Sequence, residues 1–522
     1  MIDPRLLSTL PAIPTLLSRT LPALVLALLG ACSTAGPNYQ PHPLSAPAHW
    51  QAPLIAHNGD TATLAQWWDR FNDTALIGLI EAAQRESATL ALAAARIEQA
   101  RAAAVTAAVA NQPSLEGIAT GNRAAFSFGG PAQRRTLIQL GPQSSWEIDL
   151  FGGLARGREA AAATLQSNQA AWHDARVSLA AEVAEHYLNL RHCEAQLALA
   201  QEDLQTRRDT ARITALALAV GLQPRTALLA AQAGAAQAAD AMEQRRAQCD
   251  IVVKGLVALT AMDEPALRAL LAPATARIPQ ATTFNVDTVP ARAIAQRPDI
   301  AMAERDLATA SARIGVAEAA RYPSLSLTGN ILPSLASLNG SALASVMTWA
   351  FGPALSLPLA DGGRRTANVD AAKAQFTALD TTLRAKVRGA VREVEEALVR
   401  LNAAGVRARE TAQAYEALNG TLEATRARVK TGLASQLELL DAQRNTLNAN
   451  TSVVQARQEQ ASAWIALYRA VGGGWDGQFA VVAKDAPAAP AAQAAQSTQA
   501  AQSAQAALSV PNANVTAPAP TD

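Results

Sequence analysis

The sequence predicts an α+β membrane protein made of two tandem structural repeats, in which amphipathic strands accompany exceptionally long helices. Three observations predict this fold class: elements that recur at a constant offset, segments of alternating polar and apolar residues, and two helical stretches of about 67 residues. Pro113 and Pro323 lie 210 positions apart, and Gly221 and Gly432 lie 211 apart. Because the offset is nearly constant, the chain contains two copies of one unit.

The first 31 residues are predicted to be a secretory signal peptide. An uncharged, leucine-rich run at 21–30 follows two arginines and ends in small residues. The run is too short to span a bilayer, and the tetrapeptide ending at Cys32 resembles a bacterial lipobox, where the cysteine is acylated and becomes the new N-terminus. Ser33, in place of aspartate, favours sorting to the outer membrane. Ordinary cleavage near Ala31, beside a chance cysteine, is the alternative.

The composition narrows the functional class. Half of the 522 residues are hydrophobic but only 4% are aromatic, which favours close packing of alanine-rich helices. A formal net charge of +1 gives no basic surface of the kind that binds nucleic acid. From Ala486 onward the sequence is of low complexity with almost no charge, which predicts a disordered tail.

Each repeat contains two strand-like segments. "PSLSLTG" at 323–329 and "WEIDL" at 146–150 alternate apolar with polar residues, and "MTWAF" and "LSLPL" continue this period between 347 and 359. Such strands have about the length and the two-faced character of membrane barrel strands. Four strands cannot close a barrel, and an open sheet edge is not viable in lipid. Other copies of the chain must therefore supply the missing strands, in a ring of identical subunits.

A long helix follows the Gly-Gly turn of each repeat. We expect helices over Leu154–Val220 and Arg364–Lys430, each roughly 100 Å long at 1.5 Å per residue. A "VGL" or "TGL" turn ends each helix, and a second helix then returns. The result is two antiparallel helical hairpins.

A stretch at 296–329, "QRPDIAMAERDLATASARIGVAEAARYPSLSLTG", resembles the segment that leads into a barrel strand in the TolC/OprM-type outer membrane efflux proteins. With the duplicated helix, strands and hairpin, the resemblance extends over residues 32–475 and is nearest to the lipoprotein, NodT-like subgroup. It implies a homotrimer: a twelve-strand outer membrane barrel, four strands per subunit, continuous with a long periplasmic helical barrel. It also implies a passive duct for small molecules such as drugs or toxic organic compounds. The partners would be a periplasmic adaptor, an inner-membrane pump that is proton-driven, and outer membrane lipid.

These interpretations divide the chain into five parts. They are the lipoprotein signal peptide at 1–31, a lipid-anchored segment at 32–66, the first efflux repeat at 67–285, the second repeat at 286–475, and the low-complexity tail at 476–522.

Two acidic residues follow the second turn. Glu438 and Asp441 lie three residues apart and therefore on one helix face. By resemblance they would point into the periplasmic aperture of the tunnel, where three copies would form a ring that attracts cations. The alternative is local, because Ser435 and Glu438 also form an S-x-x-E capping box.

The two turns themselves are candidate contacts. By resemblance, the adaptor's helical hairpins would bind these tips, although the glycines are also explained by turn chemistry alone. An exposed leucine is less well explained in that way. The residues concerned are Val220, Gly221 and Leu222 in the first tip and Thr431, Gly432 and Leu433 in the second.

Cys193 and Cys249 each lie 28 residues from Gly221. Equal distances from the turn of a hairpin bring residues to the same height, and an oxidising compartment favours a disulfide between them. A pair of buried free thiols is the alternative, since disulfide geometry is strict.

No pattern in the sequence points to an enzyme, a cofactor or a metal site: nucleophile-elbow, Walker and cysteine-histidine motifs are all missing. Two alternative functions are a duct for type I protein secretion and a periplasmic coiled-coil structural protein. The four strand segments speak against the coiled coil, and the lipobox and "RPDI" favour small-molecule efflux.

Overall fold

The computed structural model describes residues 34–41, 47, 50–51, 67–127, 129–281, 294–475 and 477. The predicted signal peptide, the lipidation site at Cys32 and all of the predicted tail except Gly477 lie outside the described residues.

In both described halves of the chain, one helix, two strands and two further helices follow one another in the same order. The first half contains α1 (Thr74–Glu86), α2 (Ala88–Val109), β1 (Ser114–Phe126), β2 (Gln133–Ile148), α3 (Gly153–Ala219) and α4 (Arg225–Thr260). A short α5 (Glu264–Leu271) and a 3₁₀ turn (Ala272–Ala274) follow. The second half contains α6 (Pro298–Ala319), β3 (Ser324–Leu338), β4 (Ala344–Ser356), α7 (Arg364–Lys430) and α8 (Gln436–Ala470).

The two long helices contain 67 residues each, as the sequence predicts. Both begin after a glycine in the left-handed conformation, Gly152 with φ 74° and Gly363 with φ 89°. An aspartate just before each start accepts hydrogen bonds from backbone N–H groups at the beginning of the helix: Asp149 at 2.7 and 3.2 Å, and Asp361 at 3.0 and 3.1 Å. Each cap satisfies N–H groups that have no partner inside the helix.

The four strands form one antiparallel sheet in the order β1-β2-β3-β4. The predicted number of strands is confirmed for the described residues, but the predicted ends at Leu150 and Leu359 are wrong. Leu150 already belongs to a tight turn, in which its N–H bonds to the Ile148 carbonyl at 2.9 Å. β4 ends at Ser356 because its partner β3 begins opposite, at Ser324.

Side chains alternate between the two faces of this sheet. On one face of the sheet, β4 carries the exposed residues Met347, Trp349 and Phe351. On the opposite face, β2 carries Gln139, Gln143 and other polar residues. An apolar face opposite a polar face is the pattern of a membrane barrel strand.

The long helices pack side by side, α3 against α4 and α8, and α8 against α7. α6 packs against α3 and α7, while α2 packs against α3. Aromatic residues gather where the segment before α1 meets α8: the ring of Trp67 lies 6.0 Å from that of Trp464 and 5.5 Å from that of Tyr468. Within the described part of the chain, no helix combines the length and the apolar character needed to cross a bilayer.

Candidate functional site

Both hairpin tips have the same backbone geometry. In the first, the N–H of Leu222 bonds to the Ala217 carbonyl at 2.8 Å, and Gly221 has φ 76°. In the second, the N–H of Leu433 bonds to the Arg428 carbonyl at 2.8 Å. These are Schellman turns, which require a residue in the left-handed region and explain the glycines.

The turns do not explain the apolar residues beside the glycines. Leu222 is 76% exposed and Leu433 is 71% exposed, and Val220 is exposed as well. Each tip therefore presents an uncovered leucine, as expected for a surface that contacts another protein.

The two predicted acidic residues lie near the second tip in different settings. Glu438 completes a capping box: its backbone N–H bonds to the Ser435 hydroxyl at 3.1 Å, and its carboxylate accepts the Ser435 N–H at 3.3 Å. Asp441 lies outside the cap and forms an ion pair with Arg444, one turn further on. Glu438 thus has a local structural role, whereas Asp441 has none in the cap.

The structure joins Cys193 to Cys249 in a disulfide, with the two Cα atoms 5.5 Å apart. The bond links α3 to α4 at equal distance from the first tip, and both residues are buried. In the second hairpin, Ala404 and Gln460 occupy the equivalent positions, 211 residues further on. Only the first hairpin therefore carries this covalent link.

Arg297, in the "RPDI" stretch, joins the start of α6 to the end of α8. Its guanidinium donates to the Ala470 carbonyl at 2.8 Å and pairs with Asp299 at 2.9 Å and Glu393 at 2.8 Å. Burial alone would lower the pKa of Arg297, but the hydrogen bond and charge of Asp299 outweigh burial and raise it. The motif was visible in the sequence, but its contact with α8, 173 residues away, was not.

A groove of about 1290 Å³ opens beside this junction, between α3, α7 and α8. Its walls carry both signs of charge, among them Glu185, Lys386 and Arg469. Burial, followed by the nearby Asp299 charge, raises the pKa of Asp174 in the same wall. The groove lining combines charged and apolar side chains, and the described residues hold no cluster of three or more potential metal ligands.

The segment at 34–41, which follows the predicted lipidation site, is tied to the start of α3. Arg156 donates to the carbonyls of Ala35 at 3.0 Å and Gly36 at 3.2 Å, and to the Asn38 side chain at 2.7 Å. Gly36 lies so close to Gly315 of α6 that an added Cβ would come within 2.4 Å of its Cα. Sequence patterns did not predict these contacts, because the residues that meet are about 120 and 280 positions apart in the chain.

Helices of equal length in the two halves bury different numbers of residues. α6 buries 11 of its 22 residues but α2, of the same length, buries only three. α3 buries 23 of its 67 residues and α7 only ten. β1 and β4 have a hydrogen-bonded neighbour on one side only. Among the described residues, one flank, formed by α2, α4 and β1, and the opposite flank, formed by α7 and β4, therefore have no further helix or strand packed on their outer side.

The sequence matches a protein family and several relatives over nearly their whole length. The family model described as "Outer membrane efflux protein" matches residues 79–261 and 289–473. Nodulation protein T of Rhizobium leguminosarum bv. trifolii is 32% identical over 86% of this chain and 96% of its own length. Outer membrane protein OprJ of Pseudomonas aeruginosa is 31% identical over 87% of this chain and 95% of its own length.

The fold matches solved structures as well. The outer-membrane channel OprN superposes with a TM-score of 0.74 at 26% identity, over 84% of this chain and 99% of that channel. The sequence and the backbone therefore lead to the same group of proteins.

Proposed function

The chain belongs to the outer membrane efflux protein family, and we propose that it is the duct subunit of a tripartite efflux system that exports small molecules. The protein is an outer membrane channel and carries out no chemical reaction. The observation that carries this proposal is the match with OprJ and OprN over nearly their whole lengths, which includes strands, hairpins and tips together. Energy for export comes from the pump, and the duct supplies the path.

The working duct is a homotrimer in this proposal. The two uncovered flanks are different surfaces, so contact between them is heterologous and closes into a ring when the rotation allows it. The equal lengths of α3 and α7 and the constant offset between the halves support a duplicated unit, in which three chains supply six units. Twelve strands then form the barrel and the long hairpins form its periplasmic extension.

The partners at the periplasmic end are a periplasmic adaptor protein and, through it, an inner-membrane pump driven by protons. The exposed Leu222 and Leu433 at two tips of equal geometry support this docking site. Photo-crosslinkers at both positions should capture the adaptor in membranes. A probe at Val399, which is also exposed and lies roughly 50 Å up the helix at 1.5 Å per residue, is the control and should not capture the adaptor. Capture at Val399 alone would refute tip docking.

The ring of acids at the aperture is formed by Asp441, with Glu438 beside it. The first hairpin has Ala230 and Ala227 at the equivalent positions, so a trimer carries each acid three times and not six. Replacing Asp441 by Asn should lower cation preference in single-channel recordings, while Glu438→Gln should mainly loosen the helix cap. Unchanged ion selectivity in the double variant would contradict the ring.

Cys32 is the lipid anchor in this proposal. Thr34 packs against Gly152 at the foot of β2, so Cys32 is two residues from the point where the sheet meets the helices. Acyl chains at this height would enter the same membrane as the barrel. Labelled palmitate should appear on the wild-type chain and be missing from Cys32→Ser.

The direct test of function is loss of export. Deletion of the gene should raise the intracellular level of a fluorescent efflux substrate, and the wild-type gene should restore export. If deletion changes protein secretion and leaves efflux intact, the type I secretion duct is the better reading. The periplasmic coiled-coil alternative is wrong, because the family is one of outer membrane channels.

A further inference from the structure

The internal duplication offers a template for the contact between subunits. β1 corresponds to β3 with an offset of 210, and β2 corresponds to β4 with an offset of 211, which aligns Gly141-Pro142 with Gly352-Pro353. The two units of one chain meet where β2 pairs with β3, a contact that we call the internal seam. β4 and β1 are the corresponding strands at the open edges.

We propose that β4 of one subunit pairs antiparallel with β1 of the next subunit in the register of the internal seam. The inference rests on the proposed ring and adds the residue pairing to it. Paired residue numbers in the internal seam add up to 473. Moving from β2 to β4 adds 211 and moving from β3 to β1 subtracts 210, so the pairs between subunits add up to 474.

This register covers apolar residues that are otherwise exposed. Ile148 and Leu325 face each other at the end of the internal seam. Their counterparts are Leu359 and Leu115, which are 88% and 76% exposed in the single chain. The register places these two leucines opposite each other and extends β4 by the three residues beyond Ser356. It thereby accounts for the sequence period that continues past the observed end of the strand.

A glycine gives independent support. A Cβ on Gly141 would lie 2.1 Å from the Ile331 carbonyl oxygen across the internal seam, so only glycine fits. Its counterpart Gly352 has open space around it in the single chain. The proposed register brings the carbonyl of the neighbouring subunit's Gly121, the counterpart of Ile331, to the same place. The need for glycine at 352 then has a physical cause.

Pro353, next to Gly352, also supports the proposed register. The internal seam has no ladder pairs at residues 140–142 of β2, where Pro142 lacks an N–H, whereas the ladder between β1 and β2 is continuous there. Likewise, the ladder between β3 and β4 is continuous at Pro353. The position of the N–H that Pro353 lacks therefore faces the open edge. In the proposed register it lies opposite Gly121, where the ladder between subunits has the same interruption as the internal seam. Proline is tolerated in a strand at such a position.

Cysteine pairs can read this register directly. Ala350 and Ala124 fall in a row without hydrogen bonds, where Cα atoms of antiparallel strands lie about 4.5 Å apart, within the range for a disulfide. Full-length lipidated protein with Ala350→Cys and Ala124→Cys should give cross-linked dimers and trimers on non-reducing gels. The pairs Ala350→Cys with Asn122→Cys, and Ala350→Cys with Phe126→Cys, are shifted by two residues in either direction and should cross-link several-fold less.

The outcomes separate the register from the function. Stronger cross-linking of a shifted pair overturns the register and leaves the ring intact. If none of the three pairs cross-links although the protein has a multi-subunit mass, these strands do not meet and the inference is wrong. A protein that stays a single chain in the membrane overturns the proposed function too.

A second variant tests the register without cysteines. Gly352→Ala should reduce the assembled fraction at least several-fold while the helix content of the chain is unchanged. Gly117→Ala is the matched control on the facing edge, because its counterpart Leu327 already carries a side chain in the internal seam. If Gly352→Ala assembles like the wild type, the close approach to Gly121 does not occur.

Discussion

The two halves of the chain contain nearly the same elements, but other parts of the chain bury those elements to different extents. In the described part of the chain, helices lie on both sides of α3 but on one side of α7, and α7 buries fewer than half as many residues as α3. The same holds for α6 and α2. In the proposed ring, this difference in burial is what a neighbouring subunit supplies.

The hairpins also differ in how they are held. The first has a disulfide near its middle and a Pro224 start without a side-chain cap. The second has the Ser435 capping box and an ion pair between Arg407 and Glu459, close to the height of the missing disulfide. The first hairpin is thus held covalently, and the second by contacts that can separate.

Removing the disulfide should make the first hairpin as easy to open as the second, and it has the largest expected effect on stability. In the Cys193→Ser, Cys249→Ser variant, the closed loop of 56 residues is released, which lowers the free energy of unfolding of the hairpin by about 4 kcal/mol. Hydrogen exchange of α4 should then become as fast as that of α8. The converse variant, Ala404→Cys with Gln460→Cys, should slow exchange in α8. Unchanged exchange in both variants would contradict the assignment.

The junction at Arg297 should come next. Its counterpart in the first repeat is Ser87, which caps α2 with one hydrogen bond, so the charged clamp exists only in the second repeat. Arg297→Ala should lower the free energy of unfolding by about 3 kcal/mol, because it removes the buried member of an ion pair. The loss stays at the low end of the range for buried pairs because the remaining partner, Glu393, is partly exposed to water. Arg392→Ala, which removes an exposed arginine of α7, should cost less than about 0.5 kcal/mol. Thermal unfolding in detergent compares the two, and equal losses would refute the clamp.

The attachment of the segment at 34–41 should have a smaller effect. The counterpart of Arg156 is Ala367, so only the first repeat can hold this segment. Arg156→Ala leaves two backbone carbonyls without their donor, at a cost of about 2 kcal/mol. Limited proteolysis should then cut within 34–41 much faster than in the control variant Arg158→Ala, which removes an arginine two residues further along α3. Equal cutting rates in both variants would show that Arg156 does not hold the segment.

The smallest effect is a pH dependence confined to the first hairpin. Burial, and then the charge of Arg245, lower the pKa of His192, and its counterpart in the second hairpin is Ala403. A lowered pKa means that the folded hairpin favours neutral histidine. Its stability is therefore complete above the ordinary pKa of about 6.5 and declines as the pH falls below that value. The protection factors of α3, which are corrected for the intrinsic exchange rate at each pH, should fall between pH 7.5 and 5.5 in the wild type but not in His192→Gln. A fall of equal size in the variant would assign the dependence elsewhere.

The sequence predicted those features that depend on local pattern. The helix over Arg364–Lys430 is confirmed at both ends, and its counterpart over Leu154–Val220 is shifted by one residue, because apolar periodicity and glycine turns are local signals. The ends of β2 and β4 were wrong, because a strand ends where its partner ends, and alternation alone does not carry that information. The contacts of Arg156 and Arg297 were missed for the same reason, since their partners are more than 100 residues away.

The candidate sites divide in the same way. The glycines at the tips follow from turn chemistry and are left-handed in the structure. The capping role of Glu438 was an open alternative in the sequence, and the structure forms that box. The proposed role of Asp441 in an acidic ring stays a prediction, because it depends on contacts with other copies of the chain, which one sequence does not contain.

The central claim is that one chain supplies only part of the duct wall, so that both uncovered flanks are covered by other copies. Native mass spectrometry of the lipidated protein released from detergent tests this claim most directly. The account predicts a dominant species of three chains that also conducts ions in planar bilayers. A dominant species of one folded, non-conducting chain would contradict it.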